Sequence, residues 1–424
     1  MKLGFRYKLR SGALQFVVFI AVLVALLLSG LVLYAYSFVF VKEQSKATIE
    51  NICLSDSGIA HMIQSKEVIS DTLLLDLNNG DSQIIKGHIS QWGIFQKAFV
   101  ETRHRKKRFV KTAIIGSIID SESPTLYLQE TNNPLTLVGN TKIRGNVLVP
   151  LQGVRSGYIA GESYYGSSLI YGSSRPSSDK LPDLDKLCVD QLYLYSKEFK
   201  RVDTDFAISS SKKMVHSFKE HTKSIYSKRE VVLEDVWMTG NIIIKSDSLI
   251  VVKKSATIKD LILIAPVVEI EDGVVGVFQV VASQRITIGK NCRLNYPSAI
   301  VLAQEDLLVL QTKNRFDNKI FIDEGTAIKG SICYLRKGRS DDFFPQIVVE
   351  KTAWIKGQVY CMGNFELRGK VSGTVISKQF IANQSGSIYM NHIYGGIIEN
   401  ENIPDHYGGI LLEKQDKTLI KWLY

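Results

Sequence analysis

A short glycine motif recurs six times along the chain and constrains the fold more than any other feature. In each copy an apolar residue is followed by a small or basic polar residue, then Gly, one further residue, and Val or Ile. The copies lie at 143–147, 238–242, 328–332, 355–359, 367–371 and 371–375. Glycine reaches backbone conformations that other residues avoid, and flanking apolar residues can share one core. The repeat predicts corners of the same kind at Gly145, Gly240, Gly330, Gly357, Gly369 and Gly373.

The chain between these corners consists of short β-branched runs. No long helical period separates the runs between 231 and 392, which disfavours a fold of alternating strands and helices. Continuous apolar runs of this kind suit buried parallel strands. We expect a mainly β chain whose body, residues 131–392, is a parallel β-helix (a β-solenoid) with an insertion at about 151–230. Residues 393–424 are predicted to cap the unpaired strand edge at the end of this solenoid.

The N-terminal region has the composition of a membrane anchor. No charged residue lies between Ser11 and Val41, whereas a spanning helix needs roughly 20 apolar residues. Only basic charges precede this stretch, so the positive-inside rule puts the N-terminus in the cytoplasm and the bulk of the chain outside the inner membrane. The apolar stretch is too long for the core of a cleavable signal. We predict a basic cytoplasmic leader at 1–13, a transmembrane helix in lipid at 14–41, and a helical extension at 42–66 that Gly58 weakens.

Residues 67–130 resemble a small antiparallel sheet, a β-rich collar between anchor and body. The cluster of basic residues at 103–108 lies between two strand-like runs and is predicted to be a solvated hairpin tip. The alternative is contact with an anionic surface such as lipid head groups or polysaccharide. Nucleic acid is not an expected partner, because no aromatic stacking pattern surrounds the cluster.

The cysteines and histidines do not form a recognisable metal site. An odd number of five cysteines at irregular spacing includes no Cys-x-x-Cys pair, and Cys292, Cys333 and Cys361 fit small apolar core positions. His216 and His221 are five residues apart, a poor spacing for a helical metal pair. We therefore expect no metal and no cofactor.

Asp341 and Asp342 are the nearest approach to a catalytic pair. Paired carboxylates serve as general acid and base in some polysaccharide-cleaving enzymes. No partner carboxylate or basic residue is evident on neighbouring strands, so a solvated loop is the expectation. We predict no catalytic residue and a protein that is not an enzyme.

The body resembles that of bactofilins, polymer-forming bacterial scaffolds built on a short parallel β-helix. The resemblance rests on the glycine motifs within 322–375 and on turns about 18 residues apart in 248–302. It implies a structural role and self-association. Bactofilins are small and usually cytoplasmic, whereas this chain carries an apolar N-terminal stretch and a long insertion.

The N-terminus resembles that of minor type IV pilins and pseudopilins. Such proteins have a short basic leader, a Gly, and a long apolar helix that runs on into the soluble domain. Here these parts are residues 2–11, Gly12 as the candidate processing site, and 13 to about 63. Val17 stands where major pilins carry Glu, and some minor members lack that Glu too.

Three functions therefore stay open. The first is a non-enzymatic, membrane-anchored scaffold of the bacterial cell envelope that acts through protein partners or self-association. The second is a minor pilin-like subunit of a pilus or secretion filament. The third is a carbohydrate-binding or carbohydrate-cleaving β-helix, for which polysaccharide is the ligand.

Overall fold

The computed structural model describes residues 11–64, 73–74, 83–104, 107–119, 122–197, 212–305, 318–338, 343–400, 403–404 and 407–423. Residues 1–10 of the predicted leader at 1–13, the Asp341–Asp342 pair and part of the predicted insertion lie outside these residues, and residues 11–13 belong to the first helix. The described chain is mainly β with one long apolar N-terminal helix, which confirms that part of the prediction.

The elements are numbered in chain order. The first half of the chain forms α1 (Ser11–Gln64), β1 (Leu73–Leu74), β2 (Gln83–Trp92), β3 (Phe95–His104), β4 (Lys107–Ile119), β5 (Leu126–Leu128), β6 (Leu135–Val138), β7 (Lys142–Arg144), β8 (Val147–Val149), β9 (Val154–Ser156), β10 (Tyr158–Ile159), β11 (Glu162–Ser163), β12 (Ser174–Pro176) and α2 (Lys186–Lys197). The second half forms β13 (Lys213–His216), β14 (Lys223–Ser227), β15 (Val231–Leu233), β16 (Trp237–Gly240), β17 (Ile242–Ser246), β18 (Leu249–Val252), β19 (Thr257–Ile270), β20 (Val275–Ile288), β21 (Arg293–Gln304), β22 (Ile320–Ile322), β23 (Ala327–Arg336), β24 (Ile347–Val349), β25 (Trp354–Leu367), β26 (Lys370–Gln384), β27 (Ser387–Met390), β28 (His392–Tyr394), β29 (Ile397–Glu399), β30 (Tyr407–Gly409) and β31 (Lys417–Leu423).

Helix α1 is continuous and has two unlike halves. Its N-terminal half is exposed on all sides, whereas its C-terminal half buries a stripe that includes Ala47, Leu54, Ile59 and Met62. The spacing of these residues puts them on one helical face. Gly58 lies on the same face, where an added Cβ would be 3.0 Å from Val100 Cγ1. The glycine that weakens the sequence pattern thus permits close approach of the helix to a sheet.

That sheet is the collar, and it is antiparallel: β1, β2, β3 and β4 are neighbours in this order, and β30 and β31 both pair with β4. These last two strands come from the C-terminal region. The predicted cap at 393–424 is therefore wrong: β31 pairs with β4 because Leu419 and Trp422 pack with the apolar cluster under α1. The collar also ends at Ile119, before the predicted boundary at 130, and β5 already belongs to the parallel strands described next.

The body is a parallel ladder in which each short strand pairs with the equivalent strand one turn further along the chain. One face holds β13, β16 and the first parts of β19, β20, β21, β23, β25 and β26. A second face holds β14, β17 and the middle parts of the long strands, and a third holds β15, β18, β22 and β24. A single apolar cluster runs from Leu126 to Ile398 along the inside.

Two separate segments of the chain build this ladder. The later segment runs from β13 to β29, and the earlier one from β5 to β12. The two segments join at β5 and β29. Strand β5 of the earlier segment lies between β26 and β8. Strand β29 of the later segment lies between β26 and β7. The chain passes from the collar into the ladder at β5 and returns to the collar after β29, so both chain connections lie at this joint. Parts of the predicted insertion at 151–230 belong to the parallel strands, since β9, β12, β13 and β14 all pair in parallel, whereas the β10–β11 hairpin and α2 do not.

Candidate functional site

The exposed half of α1 is the most unusual surface of the protein. Side chains such as Leu14, Leu26 and Tyr34 are 69–74% exposed, and no residue of the most apolar stretch is buried. Soluble proteins rarely expose continuous apolar patches of this size, which mark membrane or protein contacts. The length and composition fit a single-pass membrane anchor.

The other half of α1 is tied to the collar by polar contacts as well as by its apolar stripe. The Thr102 hydroxyl donates to the backbone oxygen of Asn51 at 3.1 Å, and Lys111 forms an ion pair with Asp56 of the helix. The Lys111 ammonium also lies 3.8 Å from the centre of the Trp422 ring. Polar contacts thus join α1 to β3 and β4, and β4 to β31.

Gln279 of β20 fastens the collar to the ladder. Its side chain is 3% exposed. Both the oxygen and the nitrogen of its amide form hydrogen bonds with the tight turn between β2 and β3. The backbone N–H of Ile94 donates to Gln279 Oε1 at 3.0 Å, and Gln279 Nε2 donates to the backbone oxygen of Trp92 at 2.9 Å. The intervening Gly93 has a φ of +64°, and an added Cβ there would lie 2.0 Å from Gln279 Oε1.

A second fastening joins the C-terminal strands to the ladder. The backbone N–H of Ile410 donates to Gln358 Oε1 at 2.8 Å. The Tyr296 hydroxyl donates to the backbone oxygen of Gly408 and accepts from the N–H of the same residue, both at 3.1 Å. Burial raises the pKa of Tyr296 to about 12, so this hydroxyl keeps its proton at neutral pH. The collar is thus held to the ladder at separate points along its length.

The third fastening is an ion pair between Lys421 of β31 and Asp260 of β19, whose side chains are 25% and 9% exposed. Lys421→Met leaves the Asp260 carboxylate without its partner, and we expect a loss of about 2–3 kcal/mol in the free energy of unfolding. Adding Asp260→Asn should restore most of this loss, since Asn tolerates the positive φ of 62° found there.

The measurement is a double-mutant cycle on the full chain in detergent, from denaturant unfolding followed by tryptophan fluorescence. Lys290→Met serves as the matched control, because Lys290 pairs with Glu324 at the surface with both side chains about half exposed. Equal effects of Lys421→Met and Lys290→Met would show that the pair to Asp260 adds nothing.

The corner glycines predicted from the motif fall into two groups. Gly145, Gly240, Gly330, Gly357 and Gly373 have φ values from +109° to +148°. An added Cβ at the last four would lie 1.8 to 2.0 Å from a carbonyl oxygen of the adjacent turn. Gly369 instead lies between β25 and β26 without positive φ, at a different corner. Gly172, within a Tyr-Gly-Ser-Ser sequence that resembles a linker, has a φ of +156°. A Cβ added there would come close to the backbone oxygen of Gly145.

The other candidate residues do not converge on one site. Gly12 lies near the start of α1 with open space around it, far along the helix from the collar. Arg103 and Arg108 both pair with Glu101 at the hairpin between β3 and β4. His216 Nε2 lies 2.7 Å from the backbone oxygen of His221, so the two residues meet through the main chain. Within the described ranges, no group of three or more His, Cys, Asp or Glu has a geometry that could hold a metal.

All five cysteines are free thiols. Cys188, Cys292, Cys333 and Cys361 are buried, and Cys53 is exposed on α1. Burial raises the pKa of Cys333 and Cys361, so these thiols stay protonated and pack as small apolar groups.

Sequence reasoning missed Gln279, Gln358 and the Asp260–Lys421 pair. The available signal was a lone polar residue inside an apolar run, as in Phe278-Gln279-Val280. Such a residue must find a hydrogen-bond partner when it is buried. The sequence does not say which distant segment supplies that partner.

Comparisons with known proteins add little. No protein-family model matches the chain, and no curated protein matches it. Among solved structures, the competence-associated pilin ComZ from Thermus thermophilus aligns with 10% sequence identity, covering 84% of this chain and 87% of that chain, with a TM-score of 0.21. An alignment with so low a TM-score carries no argument, so the proposals below rest on the geometry of this chain.

Proposed function

We propose that the chain is a pilin-like subunit of a membrane-anchored filament, and that the ladder is the part it displays. One observation carries this proposal. Helix α1 runs for 54 residues without a break; its apolar half is exposed within the described part of the chain, and its other half packs against the collar. This is the arrangement that the resemblance to minor pilins and pseudopilins implies.

A rigid connection distinguishes this arrangement from a simple anchor. A membrane anchor needs about 30 Å of helix, whereas 54 helical residues extend over about 80 Å. Because the collar holds the C-terminal half of α1, the collar and the ladder have a fixed orientation relative to the apolar half of the helix. Fixed orientation is what helices need in order to pack side by side in a repeating filament. An anchored scaffold would function equally well on a flexible linker.

We infer further that the ladder is one continuous β-solenoid. Parallel pairing from turn to turn and the single apolar cluster along the inside support this view. Since neighbouring strands are about 4.8 Å apart, roughly ten turns would give a stiff body about 50 Å long. The N-terminus would remain on the cytoplasmic side during insertion, because the four basic residues that precede the helix favour that side. The anchored scaffold of the cell envelope is the second candidate.

Processing of the N-terminus separates the two candidates. We expect the mature protein to begin at Ala13, shortened by 12 residues relative to the sequence and without the basic leader. Intact mass and mapping of the N-terminal peptide on protein from native membranes measure this directly. Gly12→Leu should leave the leader in place, while the control Gly30→Leu, at another open position on the same helix, should still be processed. A wild-type chain that retains Met1 would exclude the filament subunit and favour the scaffold.

A further inference from the structure

A cavity of about 930 Å³ lies where four parts of the protein meet. Its walls come from the end of α1, the hairpin of β2 and β3, helix α2, and the segment at 411–417 that leads into β31. The cavity is separate from the exposed apolar half of α1 and from the polar fastenings of the collar. Nothing in the proposed filament role accounts for it.

Three glutamine side chains in its wall have a buried carbonyl oxygen without a hydrogen-bond donor: Gln91, Gln96 and Gln415. Gln91 and Gln96 are opposite each other across the β2–β3 hairpin, so their side chains lie on the same face of the collar. Gln96 is only 4% exposed. A buried acceptor left unpaired costs about 1–3 kcal/mol, so a ligand that brings N–H donors to these three glutamines would be stabilised by them.

Ionised groups in the wall give the cavity a net negative charge. Asp185, Asp190, Glu413 and Asp416 contribute carboxylates, and Lys414 and Lys417 contribute ammonium groups. Burial lowers the pKa of Lys417, although the nearby Asp185 opposes this shift. Among the described residues of the wall, the four carboxylates therefore exceed the two cations by two. The carbonyl end of α1 at Gln64 adds partial negative charge at the same place.

Apolar side chains also line the cavity. They include Ile63, Ile89, Leu187, Leu194 and Leu411. A ligand that satisfies both kinds of surface needs an aliphatic stem and more than one cationic end.

We propose that this cavity binds an aliphatic diamine or polyamine. A protonated amine offers three N–H donors and no acceptor, which matches the unpaired carbonyl oxygens and the excess carboxylates. Its methylene chain matches the apolar wall. Binding would bridge α1, α2 and the C-terminal segment. The proposal does not depend on filament assembly or on processing at Gly12.

The test is isothermal titration of the full chain in neutral detergent with 1,8-diaminooctane and spermidine at constant ionic strength. We expect saturable binding of both amines and none of 1,8-octanediol, which has the same stem without charge. Gln96→Leu and, separately, Asp190→Asn should each weaken binding at least about tenfold, since tenfold corresponds to 1.4 kcal/mol. Gln284→Leu, at an exposed position outside the cavity, should bind as the wild type does.

Several results would overturn the proposal. One is no saturable binding of either amine, which would mean that water alone fills the cavity. Another is equal binding of the diol, which would show an unspecific apolar pocket. Displacement of the amines by millimolar CaCl₂ beyond the effect of matched NaCl would assign the site to an inorganic cation. Because Asp190 is exposed, its Asn variant should fold normally, and unchanged affinity in that variant would also count against the proposal.

Discussion

Gly330→Ala should be among the most damaging single substitutions in this protein, with a loss of about 4 kcal/mol or more in the free energy of unfolding. Gly330 has a φ of +148°, a region that is essentially restricted to glycine. An added Cβ would lie 1.8 Å from the backbone oxygen of Ser298 in the adjacent turn. That turn is fixed by parallel pairing, in which Ser298 and Gly330 are direct partners. Relief of the clash would require the two turns to separate and lose several backbone hydrogen bonds.

The matched control is Gly153→Ala. Gly153 also has positive φ, +70°, but a Cβ added there meets no atom within 4 Å. Its substitution should cost only the backbone strain, about 1 kcal/mol. Denaturant unfolding of the full chain in detergent, followed by tryptophan fluorescence, measures both variants. If Gly330→Ala unfolds at the same midpoint as Gly153→Ala, the close stacking of corners is refuted.

The sequence predicted those parts of the fold that depend on local pattern. The uncharged stretch from Ser11 to Val41 predicted the exposed half of α1, and β-branched runs predicted a mainly β body. The glycine motif located positions such as Gly330 and Gly357, which are aligned in the structure. These features follow from residue spacing and conformational preference, which can be read without knowing what lies nearby in space.

Pairing between distant segments could not be predicted. The sequence Leu126-Tyr-Leu128 is equally compatible with the collar and with the ladder, and only its pairing with β26 and β8 assigns it. The C-terminal strand was misplaced for the same reason. Its sequence suits the edge of any half-covered sheet. The edge of β4 and the apolar cluster that receives Leu419 and Trp422 determine its place. Short strands carry too little information to specify partners hundreds of residues away.

The cavity could not be predicted from the sequence for a related reason. Gln91 and Gln96 flank the turn of a hairpin, where polar residues are ordinary. Gln415 lies in a charged segment close to the C-terminus. Their significance arises only when the collar, α2 and the last strand enclose the same space.

Gln279→Leu should loosen the attachment of the collar to the ladder and lower the free energy of unfolding by about 2–6 kcal/mol. The substitution keeps the volume of the side chain close to that of glutamine but removes both of its hydrogen bonds. The N–H of Ile94 then loses its acceptor and the backbone oxygen of Trp92 loses this donor, at about 1–3 kcal/mol each. Because a shape-matched apolar residue fills the space, the loss should reflect the unpaired groups and not a cavity.

Gln279→Glu is the informative companion variant. Its carboxylate can still accept from the N–H of Ile94 but cannot donate to the oxygen of Trp92, so we expect destabilisation by this change as well, with one bond retained. Hydrogen exchange of the full chain, measured peptide by peptide, should show faster exchange in β2 and β3 of the Leu variant while the distant strands β15 and β18 keep wild-type rates. Uniform acceleration across collar and ladder would instead mean that the two parts unfold as a single unit and that Gln279 contributes to general stability only.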